Sequence, residues 1–147
     1  LYFKSGKKEI EAVRDDDTVQ LVSREGNKKI IREYSLRDDP WIATIELGVA
    51  KFIKDPQKKK FYLYRILERD LSIYKIVLIK KKKEKISIDD KEYDAIRVRV
   101  TLDGLLSAFY SANTWYAEDG TYLKYEGVNG PPGTPVTVTE LLGHTEE

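Results

Sequence analysis

The chain contains no cysteine and no methionine, and it has a single histidine. The lack of cysteine excludes disulfide bonds, thiolate nucleophiles and the cysteine-based zinc and iron–sulfur sites. The one histidine, His144, stands near the C-terminal end, without a neighbouring residue that would orient it as a base or complete a metal site. We therefore predict no metal site and no cofactor.

Other chemical patterns are missing as well. No serine lies in a nucleophile-elbow sequence, and no glycine-rich phosphate loop precedes a helix. No apolar run approaches the roughly 18 residues that a transmembrane helix needs. Basic and acidic residues nearly cancel, at 26 and 25, whereas a dedicated nucleic-acid binder carries a clear basic excess. We predict a non-catalytic protein with no transmembrane segment and no nucleic-acid partner.

What the chain does contain suits a folded domain. Its 147 residues are 41% hydrophobic and 35% charged, which is typical of a globular protein with a real core. We predict a single domain over residues 1–147. The chain begins at Leu1 without Met, so we interpret it as a processed piece, and residues 1–6 are either native or part of a tag linker.

Alternating apolar and polar residues predict that most of the chain is β-strand. The clearest case is Ile96 to Leu102, where every second residue is apolar. Residues 113–125 predict a hairpin in which Asp119-Gly120 forms a two-residue type I′ turn. In that register Tyr116 would face Leu123.

Other strand segments differ in how they must be covered. Residues 1–36 are typical of short strands separated by turns, and we interpret Asp15-Asp16-Asp17 as a solvated turn rather than a cation site. Residues 61–67 and 71–79 are apolar on both faces, so both faces must be covered. The helix would cover one face, and the curled sheet, a second chain or an apolar ligand would cover the other.

One segment has helical periodicity. Asp39-Pro40 supplies an N-cap and a proline at the first helical position, and apolar residues from Trp41 to Ile53 recur at three- and four-residue steps. Gly48 weakens this helix by about 1 kcal/mol relative to alanine. We predict a helix over residues 40–54 with its apolar stripe packed on a sheet; the alternative is that this stripe lies on a membrane surface.

The densest positive stretch is Lys80 to Lys83, with Lys85 beside it. A lysine run next to an apolar strand is typical of a solvated strand end or of an edge protected against aggregation. The alternative is a contact with anionic lipid headgroups, polyanionic glycans or nucleic acid. The sequence leaves this choice open.

A resemblance adds to these patterns. Residues Asp89 to Val100, followed by Trp115 to Glu126, resemble a family of bacterial exported proteins classed as a domain of unknown function. The shared features are a turn, an aromatic–aspartate pair (here Tyr93-Asp94), an alternating strand and an aromatic-rich hairpin, and the similarity covers residues 38–142. The resemblance implies a half-barrel similar to that of the lipoprotein-localisation carriers, and a location in the periplasm or cell envelope. It implies no catalytic residue.

Patterns and resemblance together predict an α+β, mostly antiparallel β fold, in which one curved sheet forms a half-barrel wrapped around one amphipathic helix. We expect a non-catalytic bacterial envelope protein that binds an apolar or amphipathic ligand, such as a lipid or lipoprotein acyl chain, in the concavity of the sheet. The alternative is a structural or interaction module whose apolar face is covered by a partner chain or a second copy. A hydrolase that uses unrecognised acid pairs on the sheet is a third hypothesis.

The candidate binding residues follow from these hypotheses. Tyrosine and tryptophan can line an amphipathic cavity because each buries a ring while its polar tip stays wet. The wall candidates are Trp41, Phe52, Tyr62, Tyr64, Tyr74, Trp115 and Tyr116. Arg97 and Arg99, on the side of their strand opposite its apolar row, are candidate anion contacts, and pairing with neighbouring acids is the alternative.

Overall fold

The computed structural model of the chain describes residues 2–36, 40–42, 49–67, 70–104, 110–128 and 135–141. As predicted, the fold is mostly antiparallel β. The prediction of one sheet is wrong, because the strands form two sheets. The elements are β1 (Tyr2–Ser5), β2 (Lys8–Asp15), β3 (Thr18–Glu25), β4 (Lys28–Ser35), β5 (Trp41–Ile42), α1 (Ala50–Lys54), β6 (Lys60–Ile66), β7 (Ile73–Ile88), β8 (Lys91–Leu102), β9 (Ser111–Tyr116), β10 (Tyr122–Val128) and β11 (Val136–Glu140).

The two sheets differ in size. Strands β1 to β4 form a four-stranded sheet in chain order, and β11-β10-β9-β8-β7-β6-β5 is the order of a seven-stranded sheet. By its contacts the chain divides into two compact units. The first unit consists of Leu1–Ala43 and Leu63–Lys75, and the second of Thr44–Tyr62 and Ile76–Glu147.

The first unit is built on hairpins with two-residue turns. The three turns that connect β1 to β4 begin with Gly6, Asp16 and Gly26, at φ 58°, 46° and 56°, and in each turn only this first residue has positive φ. That pattern is typical of type II′ turns, which match the twist of the flanking strands. The prediction that the triple aspartate forms a turn is confirmed, because Asp16-Asp17 connects β2 and β3.

The core of the first unit lies against one face of the four-stranded sheet. Buried side chains from β2 and β3 pack with residues of the β6–β7 hairpin; the cluster is Ile10, Ala12, Val19, Leu21, Leu36, Ile66 and Leu71. Leu71 has φ 60°, a strained value for a bulky residue. The Tyr34 hydroxyl donates a hydrogen bond to the Leu71 carbonyl oxygen at 2.9 Å, and this bond together with burial of the side chain holds the strained backbone in place.

The second unit contains the alternating strand that the sequence predicted. Val98 and Val100 on β8 are fully buried, and their cross-strand neighbours on the same face are Thr114 and Ala112 of β9. Burial of one face while Arg99 stays exposed on the other is what a period of two produces. The β7 segment is buried on both faces, as predicted for its two-sided apolar sequence: the buried residues are Ile76, Val77 and Leu78.

The predicted helix over 40–54 is confirmed at Ala50–Lys54 and wrong at Trp41–Ile42. Trp41–Ile42 is strand β5, which pairs in parallel with β6, and helix α1 is only Ala50–Lys54; positions 43–48 lie outside the described residues. An aromatic and a β-branched residue suit an extended backbone, and here the Pro40 carbonyl accepts a hydrogen bond from the Tyr64 amide at 2.8 Å. This bond and the pairing of Trp41 with Tyr64 hold residues 40–42 extended alongside β6.

The predicted two-residue turn at Asp119-Gly120 is also wrong. Tyr122 pairs with Tyr116 and Lys124 with Trp115, so the turn spans residues 117–121 and Leu123 lies in a bulge. A Cβ built on Gly120 would come within 2.8 Å of the Ala50 Cβ, which shows that this turn packs directly on α1. Within the turn the Gly120 amide donates to the Ala117 carbonyl oxygen, and the Ala117 amide donates to the Thr121 carbonyl oxygen, both at 2.9 Å.

Candidate functional site: a lysine-lined pocket

A bulge in β7 brings a run of lysines to one side of the second unit. Lys80 pairs with Val98 and Lys83 with Ile96, so Lys81 and Lys82 stand opposite the single residue Arg97. An extra residue of this kind bends the strand and changes the direction of its side chains. All four lysines from Lys80 to Lys83 consequently line one pocket.

The rest of the pocket wall comes from three neighbouring elements. Helix α1 and the turn after it supply Ile53, Lys54, Pro56 and Lys59; β8 supplies Ile96, and the β9–β10 turn supplies Glu118. The pocket volume is about 470 Å³. Cavities of roughly 300–1,000 Å³ hold small organic ligands, so this pocket is large enough for more than a single ion.

The turn after α1 is fixed to β7 by hydrogen bonds. The Asp55 carboxylate accepts bonds from the backbone amides of Gln57 and Lys58 at 3.0 and 3.3 Å, which closes the turn at Pro56. The Lys80 amide donates to the Lys59 carbonyl oxygen at 2.9 Å. These bonds place Lys59 beside the bulge, so lysines distant in sequence share one wall.

Charge is the most unusual property of this pocket. Six of its lining residues are lysines and one, Glu118, is acidic. Lys83 forms an ion pair with Glu118, and both of these side chains are exposed. Like charges in a concave site repel one another, and a cavity lined by one sign of charge concentrates counter-ions of the other sign. The pocket therefore favours an anionic occupant.

Lys80 lies deeper than its neighbours in the run. Its ammonium group donates to the Asp55 carbonyl oxygen at 2.5 Å and lies 4.6 Å from the centre of the Phe52 ring. Burial lowers the pKa of Lys80; the Asp55 carboxylate opposes this effect and the positive charge of Lys59 adds to it. An anion in the pocket would raise the pKa again, since it favours the charged form.

The predicted wall candidates of the first unit occupy different environments. Trp41 belongs to β5, and its side chain lies outside the described residues. Tyr64 is half-buried against the core of the first unit, and the Lys75 ammonium group lies 5.7 Å from the centre of its ring. Tyr74 is 41% exposed.

The wall candidates of the second unit are likewise separate from the pocket. Phe52 is buried and stacks on Phe61, with ring centres 5.4 Å apart, while Tyr62 is 41% exposed. Trp115 and Tyr116 are consecutive on β9 and so face opposite sides of the sheet; Tyr116 is fully buried and Trp115 belongs to a small cluster with Leu123. Among the described residues, none of these aromatic side chains lines the lysine pocket.

The two candidate anion contacts of β8 have neighbours on the sheet. Arg97 Nε lies 3.7 Å from Glu84 Oε1, and the same oxygen accepts a hydrogen bond from the Trp115 indole at 2.7 Å. Arg99 donates to the Ser111 hydroxyl at 3.0 Å. Pairing with a neighbouring acid was the alternative interpretation of these arginines; Arg97 has such an acid in Glu84, whereas the partner of Arg99 is a hydroxyl. Both arginines face away from Ile96, the β8 residue that lines the pocket.

The lysine run is visible in the sequence, whereas its partners in the pocket are not. Lys54 and Lys59 lie in a separate basic stretch, residues 54–60, and Glu118 adjoins the predicted Asp119-Gly120 turn without a predicted role. Two basic stretches that flank an apolar strand were the available signal. Their convergence depends on the bulge in β7 and on the turn at Pro56, neither of which a sequence pattern specifies.

The rest of the described chain offers little other chemistry. Within the described ranges, no three histidine, cysteine, aspartate or glutamate residues are grouped so that they could hold a metal ion. None of the helices in those ranges has the length and apolarity needed to span a membrane. Protein-family models, curated proteins and solved structures were compared with the chain, and none of them matches it.

Proposed function

We propose that the protein is a non-catalytic binding module that holds an amphipathic ligand with an anionic head in the lysine-lined pocket. The observation that carries this proposal is the composition of the wall, in which six lysines accompany the apolar residues Ile53, Pro56 and Ile96. The lysines attract the head, and the three apolar side chains offer a surface to the first part of an alkyl chain.

The proposal shifts the expected binding residues while keeping the expected class of ligand. The aromatic candidates pack in cores or lie on other surfaces, whereas the pocket presents charge next to apolar surface. Each methylene group that the ligand buries contributes about 0.8 kcal/mol, so even a short buried segment of chain would add measurably to the affinity.

The cellular location and the half-barrel belong to this proposal. We propose that the sheet of the second unit, with α1 on one face, is the half-barrel implied by the resemblance, and that the protein acts in the periplasm or cell envelope of a bacterium. An amphipathic ligand fits that location, because lipids and lipoprotein precursors are abundant there. Fractionation of cells that express the natural gene tests the location: recovery in the cytoplasmic fraction would contradict it.

A matched series of single-chain amphiphiles tests the binding itself. Dodecanoate and dodecyl maltoside share an alkyl chain and differ in charge, so calorimetric titration below their micelle concentrations isolates the contribution of the head. We expect dodecanoate to bind with one site per chain and dodecyl maltoside to bind about tenfold more weakly or not at all. Equal affinity for the two, or no binding of either, would overturn the proposal.

A second candidate function, a protein-interaction module, is favoured by strand β11. This strand is at the end of the seven-stranded order, and its side chains Val136 and Val138 are 59% and 51% exposed. An edge strand with exposed β-branched residues is a template for pairing with another chain. Sedimentation of the purified protein with and without Val138→Lys tests this function: a dimer that this substitution dissociates would support it, and a monomer would contradict self-association.

A further inference from the structure

The anionic head that the pocket accepts can be specified further, on the basis of the proposed function. Among the described residues, all six cations that line the pocket are lysines and none is an arginine. Lysine presents a compact point charge on a flexible stem, whereas arginine presents a planar fork that matches one carboxylate in a bidentate pair. A wall of point charges selects for the amount and density of negative charge rather than for planar geometry.

Glu118 makes the affinity depend more strongly on how many negative charges the anion carries. In the described part of the chain it is the one acidic residue that lines the pocket, and its ion pair with Lys83 neutralises one of the six lysines. An incoming anion is repelled by the Glu118 carboxylate and must compete with it for Lys83. A head with a single charge gains little from that competition, while a head with two or more charges can contact several lysines at once.

We infer that the pocket binds a phosphate group that carries two or more negative charges, and that Glu118 discriminates against anions of single charge. Two kinds of ligand carry such a phosphate group: a lipid with a phosphomonoester head, and a free oligophosphate. The pocket volume of about 470 Å³ accommodates a group of either kind. The interaction is electrostatic, so its affinity falls as ionic strength rises.

Calorimetric titration of the full chain with three probes tests this inference. Dodecyl phosphate, dodecanoate and inorganic tripolyphosphate differ in charge and in the presence of an alkyl chain. We expect dodecyl phosphate to bind at least about fivefold more tightly than dodecanoate, and tripolyphosphate to compete with it for the same site. Dodecyl phosphate binding no more tightly than dodecanoate, with no binding of tripolyphosphate, would overturn the inference and leave the proposed function standing.

Three variants locate the site. Lys81→Ala/Lys82→Ala removes two exposed cations of the wall, and we expect it to weaken tripolyphosphate binding about tenfold. Lys28→Ala/Lys29→Ala removes two exposed lysines of β4 and is the matched control, with an expected change below about twofold. Glu118→Gln removes the competing carboxylate, so we expect the affinity for dodecanoate to rise more than that for dodecyl phosphate.

The remaining outcomes separate the two proposals. Tripolyphosphate binding that the Lys81→Ala/Lys82→Ala and control variants weaken equally would show general attraction to lysines and overturn the inference. Binding of tripolyphosphate at the pocket without binding of either dodecyl probe would support a free oligophosphate as ligand and contradict the amphipathic ligand of the proposed function. Unchanged selectivity in Glu118→Gln would overturn the role assigned to Glu118.

Discussion

The two units of the chain differ in the clustering of like charges. In the first unit charged side chains of neighbouring strands form ion pairs, as in Lys4 with Glu9 at 2.9 Å and Arg24 with Glu11 at 3.4 Å. The second unit also contains such a pair, Lys124 with Glu140 at 2.8 Å. In the second unit six lysines line one pocket with one glutamate. A net charge of +1 for the whole chain conceals this difference.

The contrast extends to the turns. The turn glycine Gly26 in the first unit has open space where a Cβ would stand, so it serves only the positive φ of a two-residue turn. Gly120 in the second unit serves both its φ of 86° and a close contact with Ala50 of α1. The first unit is thus built from local hairpin rules, whereas the second depends on contacts between distant segments, and these contacts also form the pocket.

The largest expected effect comes from Gly120→Ala. A methyl group there would meet Ala50 and would impose left-handed backbone on a residue with a side chain, so we expect a loss of about 3 kcal/mol in the free energy of unfolding. The matched control Gly26→Ala has the backbone cost alone, about 1 kcal/mol. Urea denaturation of both variants measures the difference, and equal losses would contradict the packing of the turn on α1.

Removing charge should stabilise one unit and destabilise the other. We expect Lys81→Ala/Lys82→Ala to raise the free energy of unfolding by about 0.5 kcal/mol at low salt, because it relieves repulsion in the pocket. Glu11→Ala, which breaks the pair with Arg24, should lower it by a similar amount or less. Both effects should shrink in about 1 M salt, where the Debye length is about 3 Å. Shifts of the same sign would contradict the contrast between the units.

A smaller gain is expected within the first unit from Asp16→Gly. Asp16 occupies the turn position that Gly6 and Gly26 occupy in the neighbouring hairpins, and it does so at φ 46°. Glycine adopts a positive φ without strain, but it also increases the conformational entropy of the unfolded chain. The net gain in the free energy of unfolding should be about 0.5 kcal/mol. The hydrogen bond from Arg14 goes to the backbone oxygen of residue 16 and survives the change. A loss of stability on thermal denaturation would show that the Asp16 side chain itself stabilises the turn.

The smallest expected effect is a pH dependence that Lys80 contributes. Burial holds the pKa of Lys80 below its usual 10.5, so between the folded and unfolded pKa values the unfolded chain binds more protons. Lys80 therefore makes the free energy of unfolding rise with pH in that window. Below the folded pKa, the buried charge of Lys80 destabilises the folded chain by its full amount. Lys80→Met keeps an unbranched apolar side chain against Phe52 but has no charge to bury. The stability advantage of Lys80→Met over the natural chain should shrink as pH rises towards 10.5, and an advantage that grows would contradict the shift.

The strands were predicted well from local patterns, because the alternation of buried and exposed side chains along a strand is visible in neighbouring residues. The alternation from Ile96 to Leu102 and the two-sided apolar β7 both reappear in the burial of those strands. The helix prediction failed at Trp41–Ile42, because a pairing with β6, more than twenty positions away in the register, outweighed a helical periodicity. The Asp119-Gly120 prediction failed because the backbone hydrogen bonds of this turn join Ala117 with Gly120 and with Thr121, which makes the turn longer than two residues.

The candidate site was predictable only in part, for the same reason. The lysine run of β7 is visible in the sequence, and its interpretation as a site for anions was one of two alternatives. The other charged residues of the pocket are Lys54, Lys59 and Glu118. They reach the lysine run only because of a bulge and of two turns whose positions are set by tertiary contacts. Aromatic residues were the stronger sequence signal for a binding wall, yet in the second unit the structure uses Phe52 and Tyr116 to fill the interior.

The central claim, that one pocket of the second unit concentrates positive charge and binds an anion, is tested most directly by nuclear magnetic resonance. The isotope-labelled chain would be titrated with tripolyphosphate while the backbone amide shifts are recorded. We predict that the largest shift changes occur at Lys54, Lys59, Lys80 to Lys83 and Glu118, and that they saturate at one phosphate chain per protein. Changes spread evenly over all lysines, or largest at Lys28 and Lys29 of the first unit, would contradict the account.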